Sequence, residues 1–138
     1  MYPEELIAPM RQEAVDIGCK ELRSAEAVDE ALKESKGTAL VLINSVCGCA
    51  AANARPGLKL AIEHAEKKPD HLYTVFAAND KEATEQVRSY FIGYPPSSPC
   101  FGLLKDGELA ALVPRTEIEG FSAQQVAMKL IEACNTHC

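Results

Sequence analysis

A chain of 138 residues is long enough to bury one substantial core, so we expect a single domain over residues 1–138. Its hydrophobic share of 47% and charged share of 25% are those of a soluble globular protein, and a net charge of −6 argues against a nucleic-acid partner. The first residues lack the basic and apolar regions of a signal peptide, and no apolar run approaches the roughly 18 residues of a membrane span, so we expect a cytoplasmic protein without a membrane partner.

The first part of the chain predicts a helix, a short strand and a second helix. Apolar residues at helical spacing run through residues 2–17, and we expect Pro9 to break or bend this helix because proline removes a backbone donor. Residues 19–23 form at most a short strand. Ser24 is a typical N-cap, and the helix that it begins is expected to stop at Gly37.

Two buried strands, each followed by a helix, are predicted for the middle of the chain. Residues 39–43 are apolar and partly β-branched, which is typical of a buried strand. In the helix beyond it, Pro56 is expected to cause a kink. Residues 72–77 predict the next strand, and Asn79, with Glu82 three residues later, predicts the N-cap of the following helix.

The last third predicts a loop, a hairpin and a final helix. Residues 93–99 contain glycine and three prolines and cannot form regular structure. Residues 100–113 are typical of two strands joined by a tight turn at Asp106 and Gly107. Ser122, with a glutamine three residues later, predicts a capping box at the start of the final helix.

This order of elements predicts an α/β fold with a mixed central sheet and helices on both faces. Strands that are joined through helices are expected to be parallel, and the hairpin adds an antiparallel pair to the same sheet. Such sheets place functional sites at the carboxyl end of a central strand. Cys47 and Cys49 follow the strand predicted for residues 39–43 and therefore lie at such a position.

Two cysteines at the start of a helix favour redox chemistry. The unpaired N–H groups and the positive dipole end of a helix favour thiolate over thiol. We interpret Cys47 as the nucleophile of thiol–disulfide exchange and Cys49 as the resolving thiol. Gly48 tolerates the backbone conformation that a disulfide between residues two apart requires. The small ring favours exchange or isomerisation over strong reduction.

Other interpretations of these cysteines stay open. The pair could simply be packed among small residues, or it could ligate a metal together with His137 and Cys138, although the usual paired spacing of zinc sites is missing. Cys138, four residues after Cys134, is also a candidate auxiliary thiol that exchanges with the main site.

The remaining candidate residues receive less specific predictions. Cys19 and Cys100 stand alone in apolar surroundings and are expected to be packed as small hydrophobic residues. Asn53 and Arg55 could bind a thiol ligand, but we favour the interpretation that they are solvated helix residues. The histidines are expected at the surface: His64, His71 and His137.

Four segments and the last residue carry a resemblance over essentially the whole chain. They are Met1-Tyr2-Pro3-Glu4-Glu5-Leu6, Val46-Cys47-Gly48-Cys49-Ala50, Asn53-Ala54-Arg55-Pro56-Gly57, Gly93-Tyr94-Pro95-Pro96-Ser97-Ser98-Pro99 and Cys138. With the order of elements and the segment 99–108, they resemble the thioredoxin fold and, more closely, the bacilliredoxins, a family of thioredoxin-like proteins with a Cys-Gly-Cys site.

The resemblance implies both a fold and an activity. It implies a three-layer thioredoxin-like fold in which Pro99, after Ser98, is a cis-proline that faces the active cysteines. It also implies removal of bacillithiol, a low-molecular-weight thiol, from proteins that carry it as a mixed disulfide. Cys47 would take over the bacillithiol, and Cys49 or another thiol would release it.

The resemblance also indicates what the protein binds. Disulfide isomerase activity is associated with this kind of site, so the expected partners are S-bacillithiolated or disulfide-containing proteins. No metal and no tightly bound cofactor are expected, and bacillithiol acts as a thiol co-substrate.

Overall fold

The computed structural model describes residues 1–33 and 35–138, which form one five-stranded sheet with helices on both faces. The strands are β1 (Lys20–Glu21), β2 (Thr38–Asn44), β3 (His71–Phe76), β4 (Cys100–Lys105) and β5 (Glu108–Val113). The helices are α1 (Glu4–Ile17), α2 (Ala25–Leu32), α3 (Arg55–His64), α4 (Lys81–Tyr90) and α5 (Ala123–His137), with a π-helical turn at Ala50–Ala54 and a 3-10 turn at Arg115–Glu117.

The sheet is mixed, as the order of elements predicts. Its strands lie in the order β1-β3-β2-β4-β5, with β3 parallel to both β1 and β2, and with β4 antiparallel to β2 and β5. Ile43 of β2 pairs with Val75 on one side and with Cys100 on the other. The central strand β2 is buried along its whole length.

Alternate residues of β2 face two separate cores. Leu40 and Leu42 pack with residues of α1, α3 and α5 on one face of the sheet. Val41 and Ile43 pack with residues of α2 and α4 on the other face. Because successive side chains of a strand point to opposite faces, one apolar strand serves both layers, and the expected three-layer arrangement is confirmed.

Several local predictions are confirmed by the backbone. Asp106 and Gly107 both have positive φ angles, 52° and 82°, as the tightest hairpin turn requires. Ser122 and Gln125 form the complete capping box at the start of α5. Cys19 and Cys100 are buried with exposed fractions of 4% and 3%, as expected of packed thiols.

Within the residues that the structure describes, no helix is both long and apolar enough to cross a membrane.

The expected break at Pro9 is wrong, because α1 continues through it to Ile17. Pro9 lacks the N–H that would bond to the carbonyl of Glu5. Both residues are exposed, so water can bind that carbonyl. The opposite face of α1 packs against the protein and holds the helix together, through Ile7 and Ala14 in particular.

The second helix is shorter than predicted. It was expected to stop at Gly37, but α2 ends at Leu32, and residues 35 and 36 are not helical. The part of the prediction that falls on Glu34 lies outside the described residues. Gly37 has a φ of 83° and leads directly into β2.

The predicted N-cap at Asn79 is also wrong, since α4 begins one residue later with Asp80 as its N-cap. Asn79 instead fastens the amino terminus: its Oδ1 accepts a hydrogen bond from the amide of Tyr2 at 3.0 Å, and its Nδ2 donates to the carbonyl of Tyr2 at 2.8 Å. Asp80 is itself used by a contact across the fold, with Arg11.

The close packing of α3 on α5 depends on Gly57. A Cβ atom at this position would lie 2.8 Å from Cγ1 of Val126 and 3.1 Å from the carbonyl oxygen of Ala123. The two helices therefore approach each other at a point where only glycine fits.

We expect Gly57→Ala to lower the free energy of unfolding by about 1–2 kcal/mol, because the steric cost exceeds the roughly 1 kcal/mol that alanine gains in a helix. Urea denaturation of the oxidised protein measures this. In a Val126→Gly background the same substitution should cost less, since Cγ1 and Cβ of Val126, at 2.8 and 2.9 Å from the added Cβ, are both removed. An equal cost in both backgrounds would contradict this account.

Candidate active site

Cys47 and Cys49 lie just beyond the carboxyl end of β2, as predicted. They are joined by a disulfide, with their Cα atoms 5.3 Å apart. Cys47 is half-buried, Gly48 is exposed, and Cys49 is buried with an exposed fraction of 8%. Cys47 is therefore the more accessible cysteine of the pair.

Backbone amides surround Cys47. The amide of Cys49 donates a hydrogen bond to the Sγ atom of Cys47 at 3.3 Å. The amide of Cys47 donates to Oγ of Ser45 at 3.1 Å, and its carbonyl accepts from the amides of Ala50 and Ala51. A thiolate at Cys47 would retain the Cys49 donor, and a hydrogen bond to the charged form favours that form.

A π-helical turn follows the cysteines. It covers Ala50–Ala54, and the amide of Arg55 donates to the carbonyl of Ala50, five residues back. Pro56 follows this turn directly, inside a helical backbone that runs without a break from residue 48 to residue 64, so its missing N–H falls within the helix, and the kink expected there stays a prediction. Turns of this kind occur frequently at functional sites, and Arg55 directly follows this one.

The Ser98–Pro99 peptide bond is cis. Because Ile43 pairs with Cys100 in an antiparallel ladder, Pro99 continues the register beside Asn44 and thus borders the cysteine segment. Pro99 is buried and Ser98 is half-buried. The carbonyl of Ser98 accepts a hydrogen bond from Nη1 of Arg115 at 3.2 Å.

A buried polar pair supports the cysteine segment. Asn44 closes β2 with an exposed fraction of 1%, and its Oδ1 accepts from Nη1 of Arg55 at 2.8 Å and from the amide of Ser45 at 3.0 Å. Arg55 is 2% exposed and also donates to the carbonyl of Ser45 at 3.3 Å. The favoured interpretation of Arg55 as a solvated residue is therefore wrong, whereas Asn53 is half-buried and donates to the carbonyl of Ile118.

Sequence reasoning missed Asn44 and gave Arg55 too little weight. The available signal was a polar residue directly after the apolar strand 39–43, together with an arginine in a run of small residues. A buried amide and a buried guanidinium need partners, and Asn44 supplies one of the acceptors that Arg55 needs.

A buried ion pair ties α1 to the same end of the sheet. Arg11 donates from both terminal nitrogens to the carboxylate of Asp80 at 2.8 Å, and its guanidinium lies 5.3 Å above the ring of Phe76. These hydrogen bonds raise the pKa of Arg11, which is charged throughout. Arg11 also holds the pKa of exposed Glu4 below its usual range.

The fold does not bring Cys138 to this site. α3 and α5 run side by side in the same direction: Gly57 adjoins Ala123 at their starts, and the amide of Lys67 bonds to Asn135 beyond the end of α3. Cys138 follows α5 and so lies about 20 Å farther along the helix axis than Ala123.

The metal site that combines the Cys47 pair with His137 and Cys138 is therefore wrong, because these residues lie at opposite ends of α3 and α5. Among the described residues, no group of three His, Cys, Asp or Glu side chains is placed to hold a metal ion. The three histidines differ in exposure: His64 and His71 are exposed, and His137 is half-buried.

Known proteins resemble this chain in sequence and in fold. The family described as "Disulphide isomerase" matches residues 2–138. A bacilliredoxin of Koribacter versatilis is 48% identical over 138 residues, which is 100% of this chain and 94% of that protein. A bacilliredoxin of Geobacillus kaustophilus is 49% identical over 137 residues, covering 99% of this chain and 94% of its own.

Solved structures show the same architecture. Thioredoxin F from spinach chloroplast matches with a TM-score of 0.57 and 19% identity, covering 92% of this chain and 93% of its own. The thioredoxin of Malassezia sympodialis matches with a TM-score of 0.57 and 13% identity, covering 87% of this chain and 90% of its own. At these identities the likeness shows the fold, which is that of thioredoxin.

The two comparisons agree with the site. Relatives at about half identity extend over the full chain, and in this chain the Cys47–Cys49 disulfide lies just beyond the central strand of the shared fold. The chain therefore belongs to the bacilliredoxin family and is a thiol–disulfide oxidoreductase.

Proposed function

We propose that this protein removes bacillithiol from protein mixed disulfides, with Cys47 as the attacking thiol and Cys49 as the resolving thiol. The observation that carries the proposal is the hydrogen bond from the Cys49 amide to Sγ of Cys47, because a donor to this sulfur would favour its thiolate and Cys47 is the more accessible cysteine of the two. Bacilliredoxin relatives along the whole chain support the choice of bacillithiol as the thiol.

The reaction takes two exchange steps. The Cys47 thiolate attacks the bacillithiol sulfur of the mixed disulfide, and the bond to the protein sulfur breaks, so that the substrate leaves as a thiolate. The Cys49 thiolate then attacks Sγ of Cys47 and releases bacillithiol as a thiolate. The product is the Cys47–Cys49 disulfide, which is the form that the structure contains. An external thiol must supply two electrons to restore the dithiol.

The supporting residues lie around this bond. Gly48 is exposed and has no other atom within 4 Å of a Cβ position, so it leaves the face of the disulfide open. Pro99 and Ser98 border the segment on the β4 side. The dithiol must be reduced again by a thiol pool, and we therefore propose that the protein acts in the cytoplasm.

Burial keeps the other thiols out of this chemistry. It raises the pKa of Cys19 to about 12 and that of Cys134 to about 12. It also raises the pKa of Cys100 to about 11, despite the lowering effects of Ser97 and Arg88. At pH 8 about one in a thousand or fewer of these side chains is a thiolate.

A second candidate function is disulfide isomerisation, which the description of the matching family favours. Cys47 would attack a protein disulfide in the same way, and the substrate's own thiol would then displace Cys47. The two functions differ in the leaving group of the second step. When no external thiol is present, bacillithiol removal needs Cys49 to release the bacillithiol, whereas isomerisation does not need Cys49.

We expect Cys47→Ser to abolish release of bacillithiol from a model protein mixed disulfide, because Cys49 is buried with an exposed fraction of 8% and cannot meet the substrate sulfur as Cys47 does. Cys49→Ser should accept bacillithiol once and keep it on Cys47. Intact-mass spectrometry after a single turnover detects this adduct. If Cys47→Ser retains the activity of the original protein, or if Cys49→Ser carries the adduct elsewhere, the assignment is wrong.

The same assay tests the auxiliary thiol. Cys138→Ser should leave the first turnover unchanged, because the helix length separates Cys138 from the Cys47 pair. A first turnover that is slowed tenfold by this substitution would show that Cys138 reaches the site.

Alkylation of the reduced native protein should label Cys47 first between pH 6 and pH 8. Cys19, Cys100 and Cys134 should stay unlabelled there, because their raised pKa values keep them protonated until the pH approaches about 11. Peptide mapping measures each site, and labelling in denaturant provides the control. Labelling of Cys100 at the rate of Cys47 would contradict this ordering.

A further inference from the structure

We propose that Arg55 positions the Cys47 segment and stabilises the Cys47 thiolate by its charge, and that Glu13 on α1 moderates this charge. The inference rests on the proposed function, in which Cys47 is the attacking thiol. It adds two residues, one from α3 and one from α1, that act on the reaction without touching the substrate.

Hydrogen bonds connect Arg55 to the cysteine segment. The guanidinium of Arg55 holds both the side chain of Asn44, at 2.8 Å, and the carbonyl of Ser45, at 3.3 Å. Oγ of the same Ser45 accepts a hydrogen bond from the amide of Cys47 at 3.1 Å. A chain of three hydrogen-bonded groups therefore connects Arg55 to the residue that carries the attacking sulfur.

Within the described part of the chain, the charge of the buried Arg55 guanidinium lacks a buried counter-charge. Arg55 is 2% exposed, and its two hydrogen-bond acceptors, Asn44 and Ser45, are neutral. The carboxylate of Glu13 lies 3.2 Å from Nε of Arg55, but the Nε–H group has no hydrogen-bond partner among the described residues. The Glu13 side chain is 49% exposed, so water screens its charge. The buried cation is therefore only partly neutralised.

Other charged groups around the site are arranged differently. Arg11 is paired with the buried carboxylate of Asp80 in two hydrogen bonds. Arg115 contacts Ser98 but pairs with Glu119 at 2.6 Å. The groove between α1 and α3 also contains both signs of charge on exposed side chains, namely Asp16, Lys59 and Glu63. Arg55 is distinguished from these groups by its burial beside the Ser45 carbonyl.

Loss of the cation and loss of its counter-charge should then act in opposite directions on Cys47. Without the positive charge the thiolate is less favoured, and without the carboxylate the positive charge acts more strongly. A purely structural role predicts a different pattern, in which both substitutions loosen the segment and disturb the thiol in the same way.

The experiment measures the rate of Cys47 alkylation against pH in the reduced protein. We expect Arg55→Met to move the midpoint of this profile upward by about one unit, which slows alkylation at pH 6 about tenfold. Glu13→Gln should move the midpoint downward and speed alkylation at pH 6 about twofold. Glu63→Gln, a carboxylate of the same groove, is the matched control and should leave the profile unchanged.

A third variant separates charge from geometry. Arg55→Lys keeps the charge but loses the planar fork, so its profile should stay closer to that of the original protein than the profile of Arg55→Met does. If Arg55→Met does not fold, the opposite shift in Glu13→Gln still decides. Equal or absent shifts in Glu13→Gln and the Arg55 variants would overturn this inference while leaving Cys47 as the attacking thiol. Retained activity in Cys47→Ser would overturn the proposed function instead.

Discussion

The hydrogen bond between Arg55 and Asn44 joins the last residue of the central strand to the first residue of the helix that follows the cysteines. Both side chains are buried, and a buried hydrogen bond to a charged group contributes about 1.5–3 kcal/mol. The ten residues between Asn44 and Arg55 include the turn that carries Cys47 and Cys49. The cysteine segment is thus held at both ends by one contact.

Helix α1 completes the site without contributing a reactive group. Asn44 donates from Nδ2 to the carbonyl of Met10 at 3.1 Å, and Glu13 lies one turn farther along the same helix beside Arg55. Arg11, between them, is bound to Asp80 after the neighbouring strand β3. Three contacts of α1, made by Met10, Arg11 and Glu13, therefore lie at the carboxyl ends of β2 and β3, beside the segment that carries Cys47 and Cys49. Helix α1 thus places a carboxylate, that of Glu13, beside the buried Arg55 cation.

Features that depend on neighbouring residues could be predicted. The buried strand before Cys47, the Asp106-Gly107 turn and the capping box at Ser122 each follow from spacing and backbone preference within a few residues. Predictions failed where a distant group changed the local preference. Pro9 stays inside a helix because the other face of α1 is packed against the sheet, and Asn79 is withdrawn from capping by the backbone of Tyr2, 77 positions earlier.

The sequence by itself determined the α/β class, the order of strands and helices, and the place of Cys47 and Cys49 at a strand–helix junction. Side-chain periodicity and turn geometry are local properties, because each depends on residues that are close together in the sequence. Only the tertiary structure decided which polar groups support the Cys47–Cys49 pair, and which of the other thiols are buried or lie far from that pair. Arg11 and Asp80 are 69 residues apart, Asn44 and Met10 are 34 apart, and Cys138 is kept away by the parallel course of α3 and α5. The partner of a buried polar group is chosen by the packing of whole elements, which no local pattern contains.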